Sequence, residues 1–68
     1  MLELTVNGNR TQVPEHVKTI SDVKQHFHIE NQAMIVEHNG EILDKSAHTE
    51  QEVADGDKVE LVQFVGGG

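Results

Sequence analysis

The sequence predicts an α+β fold in which one main helix packs on one face of a mixed sheet of four to five strands. Three observations carry this prediction. Apolar and polar residues alternate in several short segments, two Asn-Gly pairs separate such segments, and one segment has helical periodicity. The chain has 68 residues, which is enough for one small core. We therefore expect one domain over residues 1–65 and a flexible glycine tail over residues 66–68.

The first two strands are predicted to form a hairpin. Residues 2–6 alternate apolar and polar side chains, as in a half-buried strand. Asn7-Gly8 follows, and this pair favours a two-residue turn because both of its residues tolerate positive φ. The returning strand spans residues 10–13 and ends at Pro14, since proline cannot donate a hydrogen bond to a neighbouring strand.

One short amphipathic helix is predicted next. Thr19 can accept a hydrogen bond from the first turn, and Asp22 can bond back to it, which is the pattern of a capping box. Ile20, Val23 and Phe27 share one face of a helix that ends around residues 27–28. The other residues of the segment are polar and are expected largely outside that face: Ser21, Lys24, Gln25 and His28.

A second hairpin and a final strand complete the predicted sheet. Residues 33–38 and 41–43 are the two arms of the hairpin, joined by Asn39-Gly40. Residues 44–53 are polar and irregular, with one short helical turn. After a turn at 55–57, the last strand begins at residue 58 and runs to residue 65, beside the first strand.

The last strand carries a candidate docking surface. Alternation puts Val59 and Leu61 on one side and Val62 and Phe64 on the other. If the first pair faces the helix, Val62 and Phe64 form an exposed apolar patch that a partner protein could bind. The alternative is that residues 44–53 fold over them.

Composition excludes several classes of function. Twelve acidic and five basic residues give a formal charge of −7, which would repel nucleic acids and anionic membranes. This charge either attracts a basic protein surface or only keeps the chain soluble. The absence of cysteine excludes disulfides, thiolate metal sites and a cysteine nucleophile. With no signal segment or membrane span, we expect a cytoplasmic protein.

Residues that could support chemistry within the fold are few. No metal site is predicted, because no two histidines have the helical i, i+4 spacing, and most of the five are expected at the surface: His16, His26, His28, His38 and His48. The acidic residues at 55–57 fit a turn better than a calcium loop. Since the chain also lacks a phosphate-binding loop and a nucleophile elbow, it is not expected to be an enzyme.

The three glycines at the end are either an inert tail or the reactive part of the molecule. Without Cβ atoms, Gly66 and Gly67 could thread a narrow channel and project the carboxylate of Gly68 about 10 Å beyond the fold. A free carboxylate is a poor electrophile, but its anhydride with AMP reacts with a sulfur donor or an amine. Since the chain has no thiol, a sulfur cargo would reside on Gly68 as a thiocarboxylate.

Three segments, TISDV (19–23), VEHNGEIL (36–43) and DGDKVELVQFVGGG (55–68), resemble those of the ThiS sulfur carriers of bacterial thiamin biosynthesis. These carriers belong to the ThiS/MoaD group of ubiquitin-like β-grasp proteins, whose order of strands and helix is the one predicted above. The resemblance covers essentially the whole chain. It does not account for Lys24 on the helix or for the acidic, histidine-rich surface.

This resemblance implies a set of roles. A ThiF-type adenylyltransferase would activate Gly68 with ATP and magnesium, a cysteine desulfurase or another donor would supply sulfur, and the thiazole synthase ThiG would accept it. Gly66 and Gly67 would thread the partner's channel, and Val62 and Phe64 would dock against it. The chain itself would bind no cofactor and would be a monomer when free. Alternatives are a MoaD-like carrier for molybdopterin, a ubiquitin-like modifier, and an interaction module with an inert tail.

Overall fold

A computed structural model describes residues 1–29 and 33–63 of the chain. The elements, in chain order, are β1 (Leu2–Val6), β2 (Asn9–Val13), α1 (Ile20–His26), β3 (Met34–His38), β4 (Glu41–Leu43), a 3-10 helical turn (Lys45–Ala47) and β5 (Lys58–Gln63). Each predicted element is present: β1 and β4 have the predicted bounds, and β2 and β3 differ from them by one residue at their start. The end of the last predicted strand, residues 64–65, lies outside the described residues.

The five strands form one sheet in the order β2-β1-β5-β3-β4. The last strand therefore lies beside the first, as predicted, and this pair is parallel while the other three pairs are antiparallel. Val6 is opposite Val59 in the parallel pair, and Val36 is opposite Leu61 on the other side of β5. These four side chains are buried on the face that α1 covers.

The core is aliphatic and lies between this face and α1. Phe27 is only half-buried and packs against its margin. Ile20 and Val23 are buried as the helical periodicity predicts, and Phe27 caps the helix one residue after its end. The buried apolar residues are Leu4, Val6, Val13, Val17, Ile20, Val23, Val36, Val53, Val59 and Leu61.

The two Asn-Gly pairs form the predicted turns and also bind the last strand. Asn7 and Asn39 both have a φ of 50°, and a glycine with φ above 80° follows each. The side chain of Asn7 accepts a hydrogen bond from the backbone N–H of Leu61 at 2.7 Å and donates one to its carbonyl at 3.1 Å. The side chain of Asn39 accepts one from the N–H of Lys58 at 2.8 Å. Each asparagine therefore connects its hairpin to β5.

The helix begins at the predicted capping box. The N–H of Asp22 donates to Thr19 Oγ1, and Asp22 Oδ2 accepts from the N–H of Thr19, both at 3.2 Å. The same oxygen accepts from the N–H of Lys18 at 3.0 Å. The bond from Lys18 lowers the pKa of Asp22. Burial acts in the opposite direction, but the bonds with Thr19 add to the lowering, so the pKa is lowered overall.

Two polar residues, Lys24 and His48, are buried, at 6% and 2% exposure. The prediction that Lys24 lies outside the buried face was wrong, and His48 is an exception to the expectation that most histidines lie at the surface. The reason is that the segment 44–53 packs against α1, where Ser21 donates its backbone N–H to the carbonyl of His48 and Ile20 donates to that of Gln51. The same packing contradicts the alternative that this segment covers Val62, which is 55% exposed.

The turn that precedes β5 depends on Asp57. Its Oδ2 accepts hydrogen bonds from His38 Nε2 at 2.7 Å and from the backbone N–H of Ala54 at 2.8 Å. Burial raises the pKa of Asp57, but the bond from His38, then those from Ala54 and Asn39, outweigh it, so the pKa is lowered overall. The ionised carboxylate thus fixes both the turn and the end of β3.

Replacement of Asp57 by asparagine is expected to lower the free energy of unfolding at about pH 6 by about 2 kcal/mol, because hydrogen bonds to an ionised group are lost. Because the pKa of Asp57 is lower in the folded protein than its ordinary value of 3.8, its ionised carboxylate stabilises the fold fully when the pH is above 3.8. This stabilisation is lost as the pH falls through the lowered pKa of the folded protein. The deficit of the variant should therefore shrink below about pH 4, as measured by urea unfolding.

Asp44→Asn is the matched control for Asp57→Asn, because Asp44 is exposed and its side chain caps no backbone N–H. It removes the same charge and should change the stability by no more than about 0.5 kcal/mol. A similar loss of stability in both variants would contradict the role of the Asp57 contacts.

Candidate functional site

The predicted site residues are only partly within the described structure. Val62 is in β5 and is exposed. Phe64, Gly66, Gly67 and Gly68 lie outside the described residues, so their predicted roles stay predictions.

The end of the chain continues from the middle of the sheet. β5 lies between β1 and β3, and its last residue, Gln63, is opposite Met34. Residues 64–68 follow Gln63, and an extended segment of that length reaches at most about 18 Å. Any partner that acts on Gly68 must therefore bind close to this end of β5.

Three exposed apolar side chains form a patch on the face of the sheet that α1 does not cover. This open-face patch consists of Ile35, Ile42 and Val62, which are 42%, 69% and 55% exposed. Ile35 in β3 is directly opposite Val62 in β5. Ile42 in β4 is opposite Glu37, two residues along β3 from Ile35, so the two isoleucines are diagonal neighbours. The patch thus spans three adjacent strands.

The prediction that Val62 lies on an open face is confirmed, while Ile35 and Ile42 were missed. Ile35 lies between Met34 and Val36, and such an apolar run does not reveal which residue faces outward. The registers of β3 with β5 and with β4 decide that question. The only signal available in the sequence was that β3 is apolar on both faces.

Two glutamates lie beside the open-face patch. Glu37 and Glu60 are directly opposite each other across β3 and β5, and both are half-buried. Like charges in this position destabilise a sheet unless a cation lies between or above them. The open face therefore combines an apolar surface with a negatively charged pair, which suits a partner surface that has apolar and basic residues.

A separate polar cleft of about 350 Å³ lies on the helix side and is lined by His16, Asp22, Gln25, His26 and His28. Within the part of the chain that the structure describes, no three histidine or acidic side chains are grouped closely enough to hold a metal ion. Within the same residues, no helix is long and apolar enough to cross a membrane.

Comparison with known families gives a match over residues 2–68, to the model described as the ThiS family. The chain belongs to the ThiS family. A curated ThiS relative is the sulfur carrier protein ThiS of Bacillus subtilis (strain 168), which is 40% identical over 65 residues. That alignment covers 96% of this chain and 98% of the relative.

A second relative is larger than a ThiS protein. It is a thiazole synthase of Paramagnetospirillum magneticum (strain ATCC 700264 / AMB-1), 33% identical over 67 residues. The alignment covers 98% of this chain but only 20% of the relative. A ThiS-like segment therefore makes up about a fifth of that protein.

Solved structures of ThiS proteins have the same fold. The crystal structure of the thiamine biosynthesis protein ThiS from Geobacter metallireducens is 36% identical, with a TM-score of 0.82, over 98% of this chain and 100% of that one. An NMR solution structure of a thiamine biosynthesis protein from the same organism gives a TM-score of 0.80 at 33% identity, over 98% and 88% of the two chains. The predicted ubiquitin-like β-grasp fold is thereby confirmed.

Proposed function

We propose that this chain is a sulfur carrier protein that delivers sulfur for the thiazole of thiamin, with the sulfur bound to Gly68 as a thiocarboxylate. The observation that carries this proposal is the ThiS family match, which runs to residue 68 and so includes the glycine tail. The similarity to the Bacillus sulfur carrier over nearly the full length of both chains supports it. The relatives and solved structures named above favour thiamin over molybdopterin as the pathway.

The chemistry begins with activation of the terminal carboxylate. A carboxylate oxygen of Gly68 attacks the α-phosphorus of ATP and releases pyrophosphate, which gives an acyl adenylate. Hydrosulfide then attacks the carbonyl carbon, and AMP leaves. If the donor is the persulfide of a cysteine desulfurase, its terminal sulfur attacks instead, and a thiol must then reduce the resulting acyl disulfide, which releases the thiocarboxylate and leaves a disulfide. The product is a thiocarboxylate with one sulfur in place of one oxygen.

The partner supplies ATP, magnesium and the catalytic groups, so this chain is a protein substrate and not an enzyme. We expect a ThiF-type adenylyltransferase in this role, with a cysteine desulfurase as the sulfur donor. Because the first step consumes ATP, the reaction is expected to take place in the cytoplasm. Gly66 and Gly67 would enter the active site of the partner, since side chains at these positions would widen the tail.

The recipient of the sulfur is expected to be a thiazole synthase of the ThiG type. The similarity between this chain and about a fifth of the Paramagnetospirillum thiazole synthase supports this pairing. It indicates that a ThiS-like domain and a thiazole synthase can operate within one polypeptide.

The open-face patch is the proposed docking surface for these partners. Val62 is six residues from Gly68, so an extended chain separates the two by at most about 22 Å. A partner bound at Val62 therefore has the terminal carboxylate within its reach. The neighbouring pair of Glu37 and Glu60 would be neutralised by a lysine or arginine of the partner, which adds specificity to the apolar contact.

The sulfur-carrier proposal predicts a defined change in mass. Incubation with ATP, magnesium, the cognate ThiF-type enzyme and sulfide should replace one oxygen of Gly68 by sulfur, which intact-mass spectrometry detects. One alanine added after Gly68 should abolish the change, because the reactive carboxylate is displaced from the partner's active site. The control carries the added alanine at the amino terminus and should react normally. Modification of the carboxyl-terminally extended protein would refute a mechanism at Gly68.

The docking proposal predicts that Val62→Glu weakens binding to the ThiF-type enzyme by at least about tenfold, because a charge replaces an apolar contact. Gln12→Glu is the matched control. Gln12 is exposed on β2, two strands away from β5, and the change adds the same charge. Calorimetric titration should give the control an affinity within about twofold of the original.

Circular dichroism should show that both docking variants are folded, since both positions are exposed. Equal affinities for Val62→Glu and Gln12→Glu would refute the docking surface. Phe64→Glu tests the other predicted docking residue in the same assay, and it should weaken binding without unfolding the domain.

A further inference from the structure

Lys24 and His48 form a buried contact that the proposed function does not use. Lys24 Nζ lies 2.8 Å from His48 Nδ1, and the two residues are 6% and 2% exposed. The other ring nitrogen of His48, Nε2, has no hydrogen-bond partner among the described residues. This pair joins α1 to the segment 44–53, which connects β4 to β5.

The short distance fixes the number of protons in the pair. A hydrogen bond needs one donor and one acceptor, and neither a lysine ammonium nor a histidine imidazolium has a free lone pair. A contact of 2.8 Å therefore holds only one proton between the two nitrogens. If both groups were protonated, the hydrogen bond would be lost and two positive charges would lie side by side in the interior.

Of the groups that act on the pair, only the carbonyl of Leu43 favours a second charge, and it does not outweigh burial and the charge of Lys24. Burial has the largest effect on the pKa of His48 and lowers it, and the charge of Lys24 lowers it further. The carbonyl of Leu43 raises the pKa and the charge of Lys45 lowers it, so the pKa is lowered overall. Burial, and then Lys45, also lower the pKa of Lys24. The groups that act on the pair thus come from α1, from β4 and from the helical turn, and none of them is a carboxylate.

Apart from Val53, which belongs to the core, three backbone hydrogen bonds connect the segment 44–53 to α1 and to Lys18 just before it. Ser21 donates its backbone N–H to the carbonyl of His48 at 2.8 Å, Ile20 donates to Gln51 at 2.9 Å, and Val53 donates to Lys18 at 2.8 Å. These bonds lie outside the five-stranded sheet, whose pairing does not involve the segment. The segment can therefore separate from α1 without opening the sheet.

We propose that the Lys24–His48 contact is an acid-sensitive latch. When His48 is protonated as well as Lys24, one of the two side chains leaves the interior, and the segment 44–53 separates from α1 while the sheet stays intact. No bond other than hydrogen bonds is broken, and one proton is taken up from water.

The direction of the pH dependence follows from His48. Because its pKa is lower in the closed state than the ordinary value of 6.5, closure is fully stabilised above that value. The stabilisation is lost as the pH falls from 6.5 towards the lowered pKa. Within this window, uptake of one proton raises the equilibrium constant for opening by up to about tenfold per pH unit.

Amide hydrogen exchange of the full chain, followed by NMR from about pH 7 to about pH 5, tests the latch. The reporters of opening are the N–H groups of Ile20, Ser21 and Val53, and that of Asn7, which donates to Val59, reports on the sheet. After correction for intrinsic exchange rates, the three reporters should lose protection by about tenfold or more as the pH falls. The protection of Asn7 should not change.

His48→Gln is the decisive variant, because glutamine retains an acceptor for Lys24 but does not titrate. Its three reporters should keep the same protection at both pH values. His16→Gln is the matched control. It removes an exposed histidine and should behave like the unsubstituted protein. The same pH dependence in His48→Gln as in the unsubstituted protein would overturn the latch, and so would a parallel loss of protection at Asn7.

Lys24→Met provides a second test, which can still be carried out if His48→Gln does not fold. Methionine fills a similar volume without a charge, so protonation of His48 no longer places two cations together. The loss of protection between about pH 7 and about pH 5 should shrink severalfold. An unchanged loss would overturn the proposal. Since these experiments do not involve sulfur transfer, their outcome is independent of the proposed function.

Discussion

The insertion of β5 between the two hairpins is the interaction on which the rest of the structure depends. β1 and β2 on one side, and β3 and β4 on the other, are each joined by a short turn, but neither hairpin pairs with the other. β5 joins them through a parallel pairing with β1 and an antiparallel pairing with β3. The asparagines of both turns reinforce this by binding the backbone of β5. Without β5 the two buried faces would not form one core under α1.

The same arrangement creates the candidate functional site. A central strand has neighbours on both sides, so Val62 lies next to Ile35 on the open face while Val59 and Leu61 are held in the core. The strand that has neighbours on both sides is also the one that precedes residues 64–68. The fold thus holds Gln63, the last described residue of β5, beside the open-face patch.

Two histidines make side-chain contacts of opposite kinds. His38 lies 2.7 Å from the carboxylate of Asp57, at the turn that precedes β5. His48 lies 2.8 Å from the amine of Lys24, where a second positive charge is unfavourable. Protonation of His48 therefore weakens the contact that holds the segment 44–53, because this histidine faces a base and, among the described residues, no acid acts on it.

The sequence by itself determined the features that depend on residues close together in the chain. The Asn-Gly turns need positive φ within two residues, the capping box of Thr19 and Asp22 lies within one helical turn, and the alternation of β5 separates Leu61 from Val62. Only the tertiary structure decided the features that depend on distant segments. The burial of Lys24 depends on a segment about twenty residues away, and the exposure of Ile35 depends on strand registers that no local pattern encodes. Local conformation follows from steric and hydrogen-bonding preferences of neighbouring residues, whereas burial and surface shape follow from which distant residues fill the space around a side chain.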